Sequence, residues 1–242
     1  MPFFNRLTFR ENVNTTGSGV NLRFGLIYRL NQQIRLGLSG HTRTSFTLDD
    51  SFGSSVSYDL TDLTNPDFPL DGVFEAESPE DANFEYTLRT PWKVNGSAGF
   101  ILGKRGFVSA EVEYIDYSGA SFDFDTDNSA DIEYQNELNV AIDEEYQGAI
   151  NTRIGGEYAF GIYRARAGVG LYGAPSEEID PRVTFNAGLG FRKRAFFMDL
   201  AFQRNNLDNS FYSYRGRSIE SQFVQNDLGK NHIVLTFGFK MN

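Results

Sequence analysis

The chain has no cysteine, a single tryptophan, only two histidines, and no stretch approaching the roughly 20 apolar residues that a membrane-crossing helix requires. Without cysteine there is no disulfide framework, no thiolate zinc site and no cysteine nucleophile. His41 and His232 stand far apart in sequence, which leaves little from which to build a histidine-dependent triad or a multi-histidine metal centre. No catalytic residue, metal site or cofactor is expected. Basic residues are also in deficit: 22 Lys and Arg against 32 Asp and Glu give a formal charge of -10. That balance argues against nucleic acid or an anionic lipid surface as a partner, since both need clustered cations. The opening residues, Met-Pro-Phe-Phe-Asn-Arg, lack the basic segment, apolar run and cleavage site of a secretory signal, so the chain is expected to lack its natural N-terminus.

What is abundant is glycine (24), phenylalanine (23) and tyrosine (12), a mixture that favours strands and turns. Apolar and polar residues alternate with a period of two from end to end. Ile233, Leu235, Phe237 and Phe239 interleave with His232, Thr236, Gly238 and Lys240. Phe196, Met198, Leu200 and Phe202 interleave with Asp199, Ala201 and Gln203, while Val183, Phe185, Leu189 and Phe191 interleave with Asn186, Gly188, Gly190 and Arg192. The same pattern sets Ala165, Val169 and Leu171 against Arg164 and Arg166, Val108 and Val112 against Glu111 and Glu113, and Phe24 and Leu26 against Arg23 and Gly25. With segments at about 3–12, 33–47, 86–102 and 146–160, this predicts about ten strands, each long enough for a tilted membrane-crossing strand.

Tight turns are expected near Asn31-Gln32-Gln33, Gly103-Lys104-Arg105, Gly161-Ile162 and Lys193-Arg194, with one more short connection at Asn14–Gly19. Long polar connections are expected at about 48–85, 118–145, 173–182 and 205–230; the stretch 131–145 could hold a short helix, but Ile132, Leu138, Val140 and Ile142 are too irregularly spaced to require one. Alternation of short and long connections is the asymmetry of an outer-membrane barrel, with tight periplasmic turns and extended external loops. The predicted fold is thus all-β: one antiparallel transmembrane β-barrel domain over 1–242, in the outer membrane of a Gram-negative cell. The alternative is a soluble β-sandwich, in which the apolar phase would pack against a second sheet.

Gly17-Ser-Gly-Val-Asn-Leu-Arg-Phe-Gly-Leu-Ile-Tyr28 followed by Ile34-Arg-Leu-Gly-Leu-Ser-Gly-His-Thr-Arg-Thr44 resembles paired strands of the FadL family of outer-membrane fatty-acid and hydrocarbon transporters, in its Bacteroidetes form. Thr90-Pro-Trp-Lys-Val-Asn-Gly-Ser-Ala-Gly-Phe100, Gly106 to Tyr117, Thr152-Arg-Ile-Gly-Gly-Glu-Tyr158 and Tyr172-Gly-Ala-Pro175 leading to Arg182 come in the same order. The resemblance implies fourteen strands around an N-terminal hatch, of which this chain would supply strands five to fourteen. The missing strands and hatch would then lie in the same or another chain. It further implies passive passage of hydrophobic small molecules, long-chain fatty acids or aromatic hydrocarbons, through a gated barrel. Its partners would be those molecules, or detergent in their place, and outer-membrane lipid. An outer-membrane scaffold for protein secretion or surface attachment is the alternative from another class.

If the apolar phase faces lipid, Arg23, Arg35, His41, Glu111, Glu113, Arg153, Glu157, Arg164, Arg166 and Asp199 face the lumen, as would Arg6, Arg10 and Lys240. Such a mixed-sign lining can pair across strands or hold a plug by charge-assisted hydrogen bonds. Phe68, Leu70, Val73 and Phe74 lie among Pro66, Pro69 and Gly72 and are candidates for an apolar groove that first docks a hydrophobic ligand, or for a cluster that only staples its loop. Asp123, Asp125, Asp127 and Asp131 have the spacing of a calcium loop, but Asn128 occupies the glycine position and Glu133 falls one place short of the bidentate glutamate, which favours a solvated acidic loop.

Overall fold

A computed structural model describes residues 3–62, 70–78, 82–193, 195–212 and 223–239. In chain order the strands are β1 (Phe3–Val20), β2 (Arg23–Arg29), β3 (Ile34–His41), β4 (Ser45–Asp62), β5 (Leu70–Glu77), β6 (Ala82–Arg89), β7 (Lys93–Ile101), β8 (Gly106–Asp116) and β9 (Ser121–Phe124). The helix α1 (Ser129–Glu145) precedes β10 (Gly148–Phe160), β11 (Tyr163–Tyr172), β12 (Arg182–Lys193), β13 (Phe196–Tyr212) and β14 (Phe223–Phe239). No described helix is long and apolar enough to cross a membrane. The chain falls into two compact units, each with its own antiparallel sheet.

The larger unit holds nine strands in the order β14-β13-β12-β11-β10-β8-β7-β3-β2. Nine of the ten expected strands are here. Its register carries each strand's alternation onto its neighbour without a slip, because a shift of one residue would turn every apolar side chain to the opposite face. One apolar row runs Tyr28, Leu36, Ala98, Ala110, Ile154, Val169 and Phe185 across seven strands. The neighbouring row on the other face runs Gly37, Ser97, Glu111, Arg153, Gly170 and Thr184. Short turns close several hairpins: Asn31 Oδ1 accepts from the Gln33 and Ile34 N–H groups at 2.8 Å each, and Gly103 and Gly161 take the left-handed conformation (φ 56° and 62°) that glycine tolerates best.

The apolar face is bare. Leu189 is 62% exposed and Ile233 73%, and Ala149 is the one buried hydrophobic side chain among the described residues. A sandwich would have packed these side chains against a second sheet, so the expectation of a transmembrane-barrel fold is the one met. On the apolar face, beside the short turns, aromatic rings touch in succession from Tyr158 through Phe160, Tyr163, Phe191 and Phe196 to Phe239, with centroids 5.3–6.5 Å apart.

The smaller unit pairs β1-β4-β6-β9, with β5 also on β4. Two sequence expectations change here. Asn14–Gly19 is no turn: β1 continues through it to Val20 and pairs along its length with β4, while β2, among the described residues, pairs with β3 alone. Gly17 and Gly19 leave room for the side chains of Leu48 and Phe46, where a Cβ would collide with them. The described residues of 48–85, a stretch expected as a polar connection, are largely strand, since β1, β5 and β6 all find hydrogen-bond partners on β4. The stretch 131–145, whose apolar spacing is too irregular to require a helix, lies within α1. Asn128 starts that helix by accepting the Ala130 N–H at 3.0 Å through its side chain.

Candidate functional site

The polar face of the nine-stranded sheet collects every sequence-predicted charged residue of that region: Arg23, Arg35, His41, Glu111, Glu113, Arg153, Glu157, Arg164, Arg166 and Asp199 share it by register. Arg6 and Arg10 do not belong to it, because β1 lies in the other sheet. Lys240 lies outside the described residues. Two ion-pair clusters form on this face.

The first centres on Arg153 of β10. Its guanidinium donates to Glu111, directly across on β8, and at 2.8 Å to Glu113. Glu113 is 5% exposed and also accepts from Asn151 Nδ2 at 3.0 Å, with Lys93 at 3.8 Å. Burying a carboxylate this deeply is tolerable only with several donors, and it has them. The Tyr172 ring lies between two cations: the guanidinium carbons of Arg182 and Arg153 sit 4.5 and 5.3 Å from its centroid. Next to it a pocket of about 190 Å³ is lined by Tyr117, Asn151, Tyr172, Ile179 and Arg182. Burial pushes the Tyr117 hydroxyl above its ordinary pKa, the nearby Glu113 charge adds to the shift, and Arg182 opposes it.

The second cluster spans four strands. Arg166 of β11 donates to Glu157 of β10 at 2.7 Å and to Asp199 of β13 at 2.6 Å, while Arg164 lies 3.6 Å from Glu157. To reach Asp199, Arg166 must cross β12. It passes over Gly188 and Gly190; a Cβ on Gly190 would stand 2.5 Å from the Asp199 carboxylate. Glycine on the polar phase of β12 is therefore what lets an ion pair bridge non-adjacent strands.

Sequence alternation assigned the face of these charges but missed Lys93, Asn151, Tyr172 and Arg182. Their signal was positional: each occupies the polar phase of its strand, and register then sets Asn151 beside Glu113 and Arg182 beside Tyr172. Among the described residues no group of three or more His, Asp or Glu is arranged to hold a metal ion. The acidic run that resembles a calcium loop is otherwise engaged, with Asp123 on Arg89 at 2.8 Å and Asp131 accepting from Thr126 at 3.2 Å.

Of the candidate groove residues, Phe68 lies outside the described residues and Leu70 starts β5. Val73 is 62% exposed on the same strand, and Phe74 stacks on Tyr58 of β4 at 5.2 Å. A larger aromatic group, which sequence reading did not single out, forms within the same unit: Phe84, Tyr86, Phe122, Phe124 and Tyr134 meet at centroid distances of 4.9–6.5 Å. Tyr86 donates from its hydroxyl to Asp50 at 3.2 Å.

No protein-family model matches the chain, and no curated protein sequence matches it. Among solved structures, two crystal structures of the Pseudomonas putida toluene transporter TodX superpose with TM-scores of 0.53 and 0.54, at 15% and 16% identity, over 91% and 92% of this chain and 49% and 50% of theirs. The Ralstonia pickettii toluene transporter TbuX gives a TM-score of 0.38 at 12% identity, over 98% of this chain and 80% of its own. The chain spans about half the length of TodX. The likeness to TodX is one of fold, and it agrees with the FadL-like fold expected from sequence.

Proposed function

We propose that this chain forms part of an outer-membrane β-barrel that passes hydrophobic small molecules by diffusion. The observation that carries the reading is the bare apolar face of the nine-stranded sheet, set back to back with an ion-paired polar face. Side chains such as Leu189, Ile233 and Phe237 are stable only against acyl chains, and the ring row from Tyr158 to Phe239 suits the girdle at a membrane interface. Their partners on the opposite face then line a lumen. TodX, which shares this fold, is named as a toluene transporter, which supports a hydrophobic cargo; fatty acids and aromatic hydrocarbons both belong to the proposal. Val73 and Phe74, with the aromatic group of the smaller unit, are the proposed first contacts for that cargo. The remaining wall and a plug for the lumen come from elsewhere in the same protein or from a second chain.

The test is uptake of radiolabelled toluene and oleate by a deletion strain complemented with the full-length gene. Restored uptake of either supports the proposal. Unchanged uptake, with a secreted protein mislocalised instead, would favour a scaffold in protein secretion and end the transport reading.

A further inference from the structure

The chain is acidic overall, yet cations outnumber carboxylates on the polar face of the nine-stranded sheet, and the excess is uneven. Near the short turns, Arg35, Lys104, Arg164 and Arg192 line a cavity of about 540 Å³ in which Glu157 is the one carboxylate. Glu157 is already engaged, by Arg166 at 2.7 Å and Arg164 at 3.6 Å. Arg29 stands directly opposite Arg35 in the β2–β3 hairpin, a like-charge pair that destabilises a sheet unless an anion lies between or beside it. Among the described residues Arg29, Arg35, Lys104 and Arg192 have no carboxylate partner. Beside the cations, Ile101 and Phe107 face each other across β7 and β8 and give the same cavity an apolar wall.

We propose that this cavity is an oxyanion-binding site that takes a carboxylate or phosphate group through Arg35, Lys104 and Arg192. Guanidinium forks match both groups in geometry, and an incoming anion relieves the repulsion between Arg29 and Arg35. The site rests on the arrangement of the cations and not on the transport reading; it would exist in a scaffold equally well. Two sources share this chemistry, a free anion and the head of an anionic amphiphile whose tail lies on Ile101 and Phe107.

The full chain, folded in maltoside detergent at low ionic strength, is titrated calorimetrically with inorganic phosphate, acetate and decanoate. The double variant Arg35→Ala/Arg192→Ala is expected to bind phosphate and decanoate at least about tenfold more weakly, since each lost charge-assisted bond is worth about that factor. Arg35→Lys/Arg192→Lys keeps the charge but not the forks and should bind between the parent and the double alanine variant. Lys230→Ala, which removes a cation from the same face outside the cavity, should change nothing. Decanoate binding more tightly than acetate, with the advantage lost in Ile101→Ser, identifies an amphiphile; equal binding identifies a free anion. No loss in the double variant, or an equal loss in Lys230→Ala, overturns the site. Circular dichroism checks strand content, and the single Arg192→Ala variant carries the same test should the double variant fail to fold.

Discussion

The two sheets obey the same alternation and cover their apolar faces to different extents. In the nine-stranded sheet the apolar side chains stand clear of the protein, with Leu189, Ile233 and Phe237 all more than half exposed. In the five-stranded sheet, Phe84, Tyr86, Phe122 and Phe124 are half-buried, chiefly against one another, while Leu7, Phe9 and Val13 of its β1 are more than half exposed. Their polar sides differ as well. The larger sheet locks its charges into Arg153 and Arg166 clusters that reach across strands, while the smaller keeps an exposed pair, Arg89 with Asp123. Apolar side chains left bare have handed their stabilisation to another apolar medium; the ring cluster of the smaller sheet has kept it. An apolar environment outside the protein is thus called for along the larger sheet and along β1 of the smaller one, and not by the ring cluster.

The sharpest way to break that contrast is to place a charge on the bare face. Phe185→Arg, six residues along β12 from the ring row at Phe191, should cost about 2–4 kcal/mol in a urea titration of folding into phosphatidylcholine vesicles, the range for a cation near mid-bilayer. Thr236→Arg, on the polar face, should cost far less. Equal costs would mean that the two faces see the same solvent. Within the polar face, Gly190→Val should push Asp199 away from Arg166 and cost about 1–2 kcal/mol. Combining it with Asp199→Asn should add little, because both remove the same bond. In the smaller sheet, Phe124→Leu keeps an apolar side chain but loses its ring contacts, for about 1 kcal/mol. The smallest effect expected is a pH dependence. Burial first, then the hydrogen bond to Asp50 and its charge, raise the Tyr86 pKa above its ordinary value of 10.0. Folding therefore favours the neutral phenol, so this contribution is present below pH 10 and is lost as pH rises through the raised value. A melting series from about pH 8 to about pH 11.5 should show a steeper alkaline loss in the parent than in Tyr86→Phe.

Much of the larger sheet was legible because a period of two needs no knowledge of partners: Val108, Val112, Glu111 and Glu113 declare their faces from one strand alone. The smaller sheet was not. Stretches such as Ser54-Ser-Val-Ser-Tyr-Asp and Asn14-Thr-Thr-Gly-Ser-Gly look like loop and turn by composition, and they become strand because a neighbour in register supplies their hydrogen bonds. Asn128 shows the same limit at a single residue. It is out of place for a calcium loop and well placed as a helix cap, and its role is set by the backbone conformation that the next residues adopt.

By itself, then, the amino-acid order determined that the chain is all-β and two-faced, and which residues go to which face, since side-chain direction in a strand is a local property of the backbone. Only the tertiary structure decided which strands neighbour which, and so which charges meet. That Arg166 reaches Asp199 over Gly190, that Asn151 holds Glu113, and that Arg29 and Arg35 are left facing each other are consequences of register between separate segments, which no local pattern encodes.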